Sequence, residues 1–114
     1  NELDATYQMK ALQYLAIIYR GMGQLTKAEN TYIQLISIAK QYKQEQLRES
    51  ATESLIGIYM TNMQIDKALS LSTDMLESKK ATQDYNGMIT YMNKIGILHR
   101  HLEQYPASLK YFEE

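Results

Sequence analysis

With 114 residues and a net charge of −1, the chain can bury one modest core. It lacks the basic face and high pI that a nucleic-acid partner demands. It contains no cysteine, which excludes disulfides, thiolate catalysis and cysteine metal sites but leaves the compartment open between cytoplasm and periplasm. The longest apolar stretch, "YLAII", is far too short to span a bilayer, so no direct membrane contact is expected.

The first element is a helix near 4–21, because Leu12, Leu15, Ile18 and Tyr19 recur at spacings of three and four. Gly21 and Gly23 end it. A second helix, near 25–43, carries Leu25, Ala28, Tyr32, Leu35, Ile36 and Ala39 at the same spacing. Leu55, Ile58 and Tyr59 mark a third over 46–61; Ile65, Ala68, Leu69, Met75 and Leu76 mark a fourth over 65–80. Met92, Ile95, Leu98 and His99 mark a fifth over 84–101. Pro106 stands where a first helical position needs no amide donor, so a sixth helix is expected over 105–114. Gly57 and Gly96 fall inside helical runs, where glycine costs about 1 kcal/mol against alanine; close helix packing is the expected reason. Short connections make paired helices antiparallel neighbours. No segment alternates like a strand. The chain begins at Asn1 already close to helical pattern and stops within "KYFEE", so it is expected to be a piece of a longer protein.

The chain repeats itself. At a shift of 40 residues, Leu15, Leu55 and Ile95 superpose, as do Ile18, Ile58 and Leu98; Gln24, Gln64 and Gln104; Leu25, Ile65 and Tyr105; and Ala28, Ala68 and Ser108. The small residues at the last position let two helices approach, and large apolar ones fill the space beside them. One helical pair cannot bury both its faces, so stacked copies share a core.

This pattern resembles the tetratricopeptide repeat, whose core reads W-x2-L-G-x2-Y, A-x3-F, P. The first copy supplies Leu12, Leu15, Ala16, Tyr19, Ala28 and Tyr32. The second supplies Thr52, Leu55, Ile56, Tyr59, Ala68 and Ser72, and the third Met92, Ile95, Gly96, His99, Ser108 and Phe112. The resemblance implies an all-α stack of antiparallel helix-turn-helix repeats, a right-handed α-solenoid of about three repeats and six helices (approximately 4–43, 44–83 and 84–114) forming a single domain over 1–114. The period of 40 departs from the standard 34; forty-residue versions are similar to those of bacterial signalling proteins, peptide-pheromone receptors and kinesin light chains. Lys40 and Lys80 replace the helix-ending proline. The extra residues, "QYKQEQLRE" and "KATQDYNG", are expected to lengthen the second helix and the loop after it. Ile56 and Ser72 break the small–large pattern, so packing in the second copy is expected to differ.

In this family the first helix of each pair lines a concave face that binds peptides or protein segments. By the repeat register, that face carries Lys10, Gln13, Ile17 and Arg20; Ser50, Glu53, Gly57 and Met60; and Thr90, Asn93, Ile97 and Arg100. Their spacing puts each set on one helical stripe. Arg20 and Arg100 suit carboxylates through paired hydrogen bonds. The lysine-and-asparagine clamp of chaperone-binding relatives is not reproduced, because Gln13 and Ile17 stand at its sites. Tyr14, Tyr85 and Tyr91 lie outside the repeat core and are further candidates for partner contact. His99, at the repeat's tyrosine position, reads as an interhelical residue. His101, two residues on, points elsewhere and cannot share a metal with it. Glu29 with Lys27, or Glu45 with Arg48 and Glu49, read as solvated helix faces, not acid–base sets. No phosphate-loop, dinucleotide or H-E-x-x-H motif occurs.

The sequence therefore points to a non-enzymatic protein- or peptide-binding scaffold without cofactor or metal, serving as a regulatory or sensor segment of a larger bacterial signalling protein. Two alternatives stand beside it: the pheromone-responsive domain of a transcription regulator, and a structural segment that self-associates through exposed repeat ends. In that last reading Leu109 and Phe112 would be under-covered.

Overall fold

In a computed structural model, which describes the backbone of residues 2–113 and the side chains of 3–102, four three-residue turns divide the chain into five helices. They are α1 (Glu2–Gly21), α2 (Leu25–Gln41), α3 (Glu45–Thr61), α4 (Ile65–Ala81) and α5 (Tyr85–Glu113). No strand occurs among the described residues. The architecture is all-α and helix-turn-helix, as the periodicity requires.

All four turns are built alike. The amide of the third turn residue reaches back five residues: Gln24 to Tyr19 (2.8 Å), Gln44 to Ala39 (2.8 Å), Gln64 to Tyr59 (2.7 Å) and Asp84 to Lys79 (2.9 Å). The amide before it reaches back three, as Gly23 does to Arg20 at 3.1 Å. This paired closure satisfies the last carbonyls of each helix and requires a left-handed residue at its middle. Gly23 (φ 77°), Lys43 (57°), Met63 (62°) and Gln83 (57°) fill that place.

Two expectations are corrected by this regularity. The connection after the second helix of a pair is no longer than the one within a pair, because α2, α3 and α4 are each 17 residues long and each is followed by three turn residues. The residues beyond the standard repeat length lengthen helices, not loops. Second, the helices expected over 84–101 and 105–114 form one, since α5 runs unbroken from Tyr85 to Glu113. Glu103 is helical where Gly23 and Met63 turn. The fixed φ of Pro106 is itself helical, so the proline is compatible with an unbroken helix.

The chain divides into two compact units, Asn1–Ile58 and Tyr59–Glu114. In the first, α1 packs against α2, and its core includes Ala5, Met9 and Ala16 from α1, Ala28, Tyr32, Leu35 and Ala39 from α2, and Ala51, Leu55, Ile56 and Ile58 from α3. Full burial of a side chain such as Leu35 stabilises by about 2 kcal/mol, while Ala16, Ala28 and Ala39 keep the contact faces small. In the second unit α4 packs against α5, with Ile65, Ala68, Met75, Tyr91 and Leu98 buried.

Both residues that break the small–large pattern are buried: Ile56 in the first unit and Ser72 in the second. The Ser72 hydroxyl has no hydrogen-bond partner. The buried Thr31 and Thr52, in contrast, each donate a hydroxyl to the carbonyl four residues earlier, at 2.7 Å.

Candidate binding face

The first unit brings part of the expected groove together. Gln13 and Ile17 of α1 and Ser50 and Ser54 of α3 line a cleft of about 60 Å³, with Tyr32 and Leu35 of α2 and Leu47 and Ala51 of α3 completing its wall. The spacing of four between Gln13 and Ile17, and between Ser50 and Ser54, aims each pair the same way. The cleft has room for a few water molecules or one small side chain, and is well below the size of a cofactor site. Its wall is apolar at Ile17, Tyr32 and Leu35 and offers hydrogen bonds at Gln13, Ser50 and Ser54.

Three residues beyond Ile17, Arg20 lies across α3. A Cβ placed on Gly57 would stand 3.1 Å from one guanidinium nitrogen and 4.0 Å from the guanidinium carbon. The missing side chain at Gly57 thus makes room for the Arg20 head. Close approach does explain this glycine, although a side chain approaches rather than a backbone. Arg20 is exposed, and no carboxylate pairs with it among the described residues. It remains available to an anionic group.

The other expected residues are accessible but not gathered into the cleft. Lys10 and Glu53 are exposed in the first unit. In the second unit Met60 is half-buried, and Asn93, Ile97 and Arg100 are exposed on α5. Thr90 is exposed too, with its hydroxyl turned to the Asn86 carbonyl at 3.0 Å. Gly96 does not follow Gly57: no atom lies within 4 Å of a Cβ built there, so packing does not explain it.

Two aromatic expectations are corrected. Tyr91 has no exposed surface; it belongs to the core of the unit in which α5 packs against α4. Tyr14 and Tyr85 are exposed. His99 is exposed as well, because no described side chain covers that face of α5. His101 is half-buried. No group of histidine and carboxylate side chains suited to a metal occurs among the described residues.

Two features were not read from the sequence. Lys27 lies over the Tyr19 ring (5.7 Å to the centroid) and Lys67 over Tyr59 (5.6 Å), pinning successive helices across a turn by cation–π attraction. The signal was present as a tyrosine followed eight residues later by lysine, in two copies. The second feature is the start of α5. Asp84 Oδ1 accepts from the Gly87 amide at 3.0 Å, and Oδ2 faces Lys79 Nζ at 3.3 Å. The amide bond first, and then Lys79, hold the Asp84 carboxyl below its usual pKa. This is a helix cap. Glu45 pairs with Arg48 at 2.7 Å on the surface of α3, a solvated helix face.

Residues 88–114 match the family model of the tetratricopeptide repeat. The matched stretch lies in the second unit and takes in most of α5. No curated protein and no solved structure matches the chain. Repeats of this family mediate protein–protein interaction and are not themselves catalysts. No helix among the described residues is long and apolar enough to cross a membrane.

Proposed function

We infer that this chain, a tetratricopeptide-like helical repeat, is a docking module for a peptide or an extended protein segment, which lies along the first helices of the pairs. The observation that carries this reading is the cleft where Gln13, Ile17, Ser50 and Ser54 meet, with the unpaired Arg20 guanidinium one helical turn beyond it. A segment with a small aliphatic side chain for the cleft and a carboxylate for Arg20 matches both features. In this reading Lys10 and Glu53 extend the recognition surface on the first unit, and Met60, Asn93, Ile97 and Arg100 are candidates for contact on the second. The forty-residue period supports a place as the regulatory or sensor segment of a larger bacterial signalling protein.

The test is selection of binding peptides from a random displayed library against the whole chain, followed by titration calorimetry on variants. Ile17→Glu, and Arg20→Ala together with Arg100→Ala, are each expected to weaken a selected peptide by about fivefold or more, while circular dichroism shows the helices intact. Peptides that bind all variants equally would remove the groove from the explanation.

A further inference from the structure

One pair of residues in the segment "KATQDYNG" has no place in the binding face. Asn86–Gly87 is the single Asn-Gly step of the sequence, and it falls in the first turn of α5. The Asn86 side chain is exposed. The first amides of a helix have no carbonyl behind them. The Gly87 amide donates instead to Asp84 Oδ1 at 3.0 Å, while the Met88 amide, one residue on, already reaches the Asp84 carbonyl at 2.9 Å. Helices α2 and α4, which start at Gln24 and Gln64 after the same kind of turn, lack such a side-chain cap. The glycine belongs to the cap as well. A Cβ at position 87 would stand 2.6 Å from Lys79 Cδ and 2.8 Å from Asp84 Oδ2, so a side chain there would displace the Lys79–Asp84 pair. The residue that admits the cap is also the one that leaves a peptide nitrogen least shielded from the asparagine beside it.

We propose that Asn86–Gly87 is a site of spontaneous deamidation, and that the Asp84 cap sets its rate. The Gly87 nitrogen attacks Asn86 Cγ and forms the N–Cγ bond of a cyclic imide. The Cγ–Nδ2 bond breaks, and the amide proton leaves with Nδ2 as ammonia. Water then opens the imide. Cleavage at Cγ gives aspartate; cleavage at the Asn86 main-chain carbonyl gives isoaspartate, with the main chain rerouted through the β-carbon. Both products add a negative charge. Aspartate suits the start of a helix, whereas isoaspartate lengthens the backbone and takes the first turn out of helical register. Ring closure needs a ψ at Asn86 away from the helical value of about −42°, so it proceeds from a locally opened turn. In a helix interior such opening breaks the backbone ladder. Here the attacking amide is held by the Asp84 carboxylate, and the Thr90 hydroxyl on the Asn86 carbonyl, at 3.0 Å, must yield with it. The Asp84 charge also opposes the anionic nitrogen that attacks.

The whole chain is incubated at neutral pH beside a synthetic peptide of residues 81–94, which is also a tryptic fragment bounded by Lys80 and Lys94. Mass spectrometry reads the amide-to-acid conversion, located to residue 86 by fragmentation, and chromatography separates aspartate from isoaspartate. The free peptide is a marginal helix at this length and should convert fastest. In the folded chain Asp84→Ala should convert about fivefold faster than the unaltered protein, from the loss of one cap, with circular dichroism showing the helices intact. Asp84→Ser, which restores a cap without the charge, should return the rate to within about twofold of the unaltered protein. Asn86→Gln, whose ring would be one atom larger, should stay intact over the same time. Asp84→Ala in the free peptide should leave its rate unchanged, which ties the effect to the fold. Conversion of the folded chain as fast as the peptide, or an Asp84→Ala protein no faster than the unaltered one, overturns the proposal. So does an Asp84→Ser protein as fast as Asp84→Ala, which would take the rate away from the cap.

Discussion

Lys43, Met63 and Gln83 hold left-handed backbones in turns whose fourth member uses Gly23. Each side chain is exposed, so replacing it with glycine removes little buried surface. A residue with a Cβ spends about 1–2 kcal/mol in this conformation. Glycine avoids that cost but brings back about 0.5–1 kcal/mol of unfolded-chain entropy. The difference favours Lys43→Gly, Met63→Gly and Gln83→Gly by about 0.5–1 kcal/mol each. The positions lie 20 residues apart and share no partner, so the effects should add to about 1.5–3 kcal/mol. The reverse change, Gly23→Ala, should cost about 1 kcal/mol. Urea unfolding followed by circular dichroism reads all of these, with midpoints rising for the three glycine variants and slopes unchanged. A lower midpoint in Lys43→Gly, together with no loss in Gly23→Ala, would refute a shared turn geometry.

Gly96→Ala is expected to stabilise by about 1 kcal/mol, because the site is exposed and a Cβ there meets nothing; thermal melts that show destabilisation would mean something packs on that face of α5. Ser72→Ala should gain roughly 1 kcal/mol by removing a buried hydroxyl without a partner, and a loss of stability in urea would reveal a bond to that hydroxyl. Asp84 is held below its usual pKa, so its contribution is complete above the usual aspartate value, about 3.9, and disappears as pH falls through the lowered one. Asp84→Asn should therefore flatten the acid limb of a stability–pH profile, and a profile unchanged below about pH 4 would contradict the cap.

Much of the fold was legible because glycine and aliphatic spacing speak directly. Gly21 and Gly23 marked the first turn, and repetition at 40 carried it to Thr61–Gln64. The turns at Lys43 and Gln83 were harder, since neither residue advertises a left-handed backbone; the regular 20-residue interval from Gly23 is the sign that points to them. The unbroken α5 was missed because Pro106 reads as a helix start, whereas its φ also fits a helix interior that tolerates one lost donor. Tyr91 was misplaced because a tyrosine outside a single apolar stripe looks like surface. On α5 it belongs to a second stripe, and the position that matches it on α1 holds only an alanine, Ala11. Gln13, Ile17 and Ser50, which the register put on the first-helix stripes, line one cleft, whereas the contribution of Ser54 depends on how α3 lies beside α1 and α2, which spacing alone does not give.

The even helix spacing also constrains how an odd-numbered helix divides its circumference. An odd-numbered helix flanked by a helix before it and a helix after it needs two apolar stripes, and two stripes occupy most of its circumference. The remaining sector is narrow and must carry polar and charged residues to stay wet, which is where Lys10, Gln13 and Arg20 fall on α1. Ile17 is the exception, and the structure puts it in the cleft rather than among charges. An apolar residue in an otherwise polar sector, beside an uncommitted cation and two serine hydroxyls, is poorly explained by solubility and well explained by recognition. On α1, then, one stripe builds the fold, a second is exposed, and the sector between them is the one that the proposed reading gives to a peptide. The three surfaces are separable by the single changes Ala16→Glu, Ile18→Glu and Ile17→Glu, and only the first, at a site with no exposed surface, should unfold the first unit.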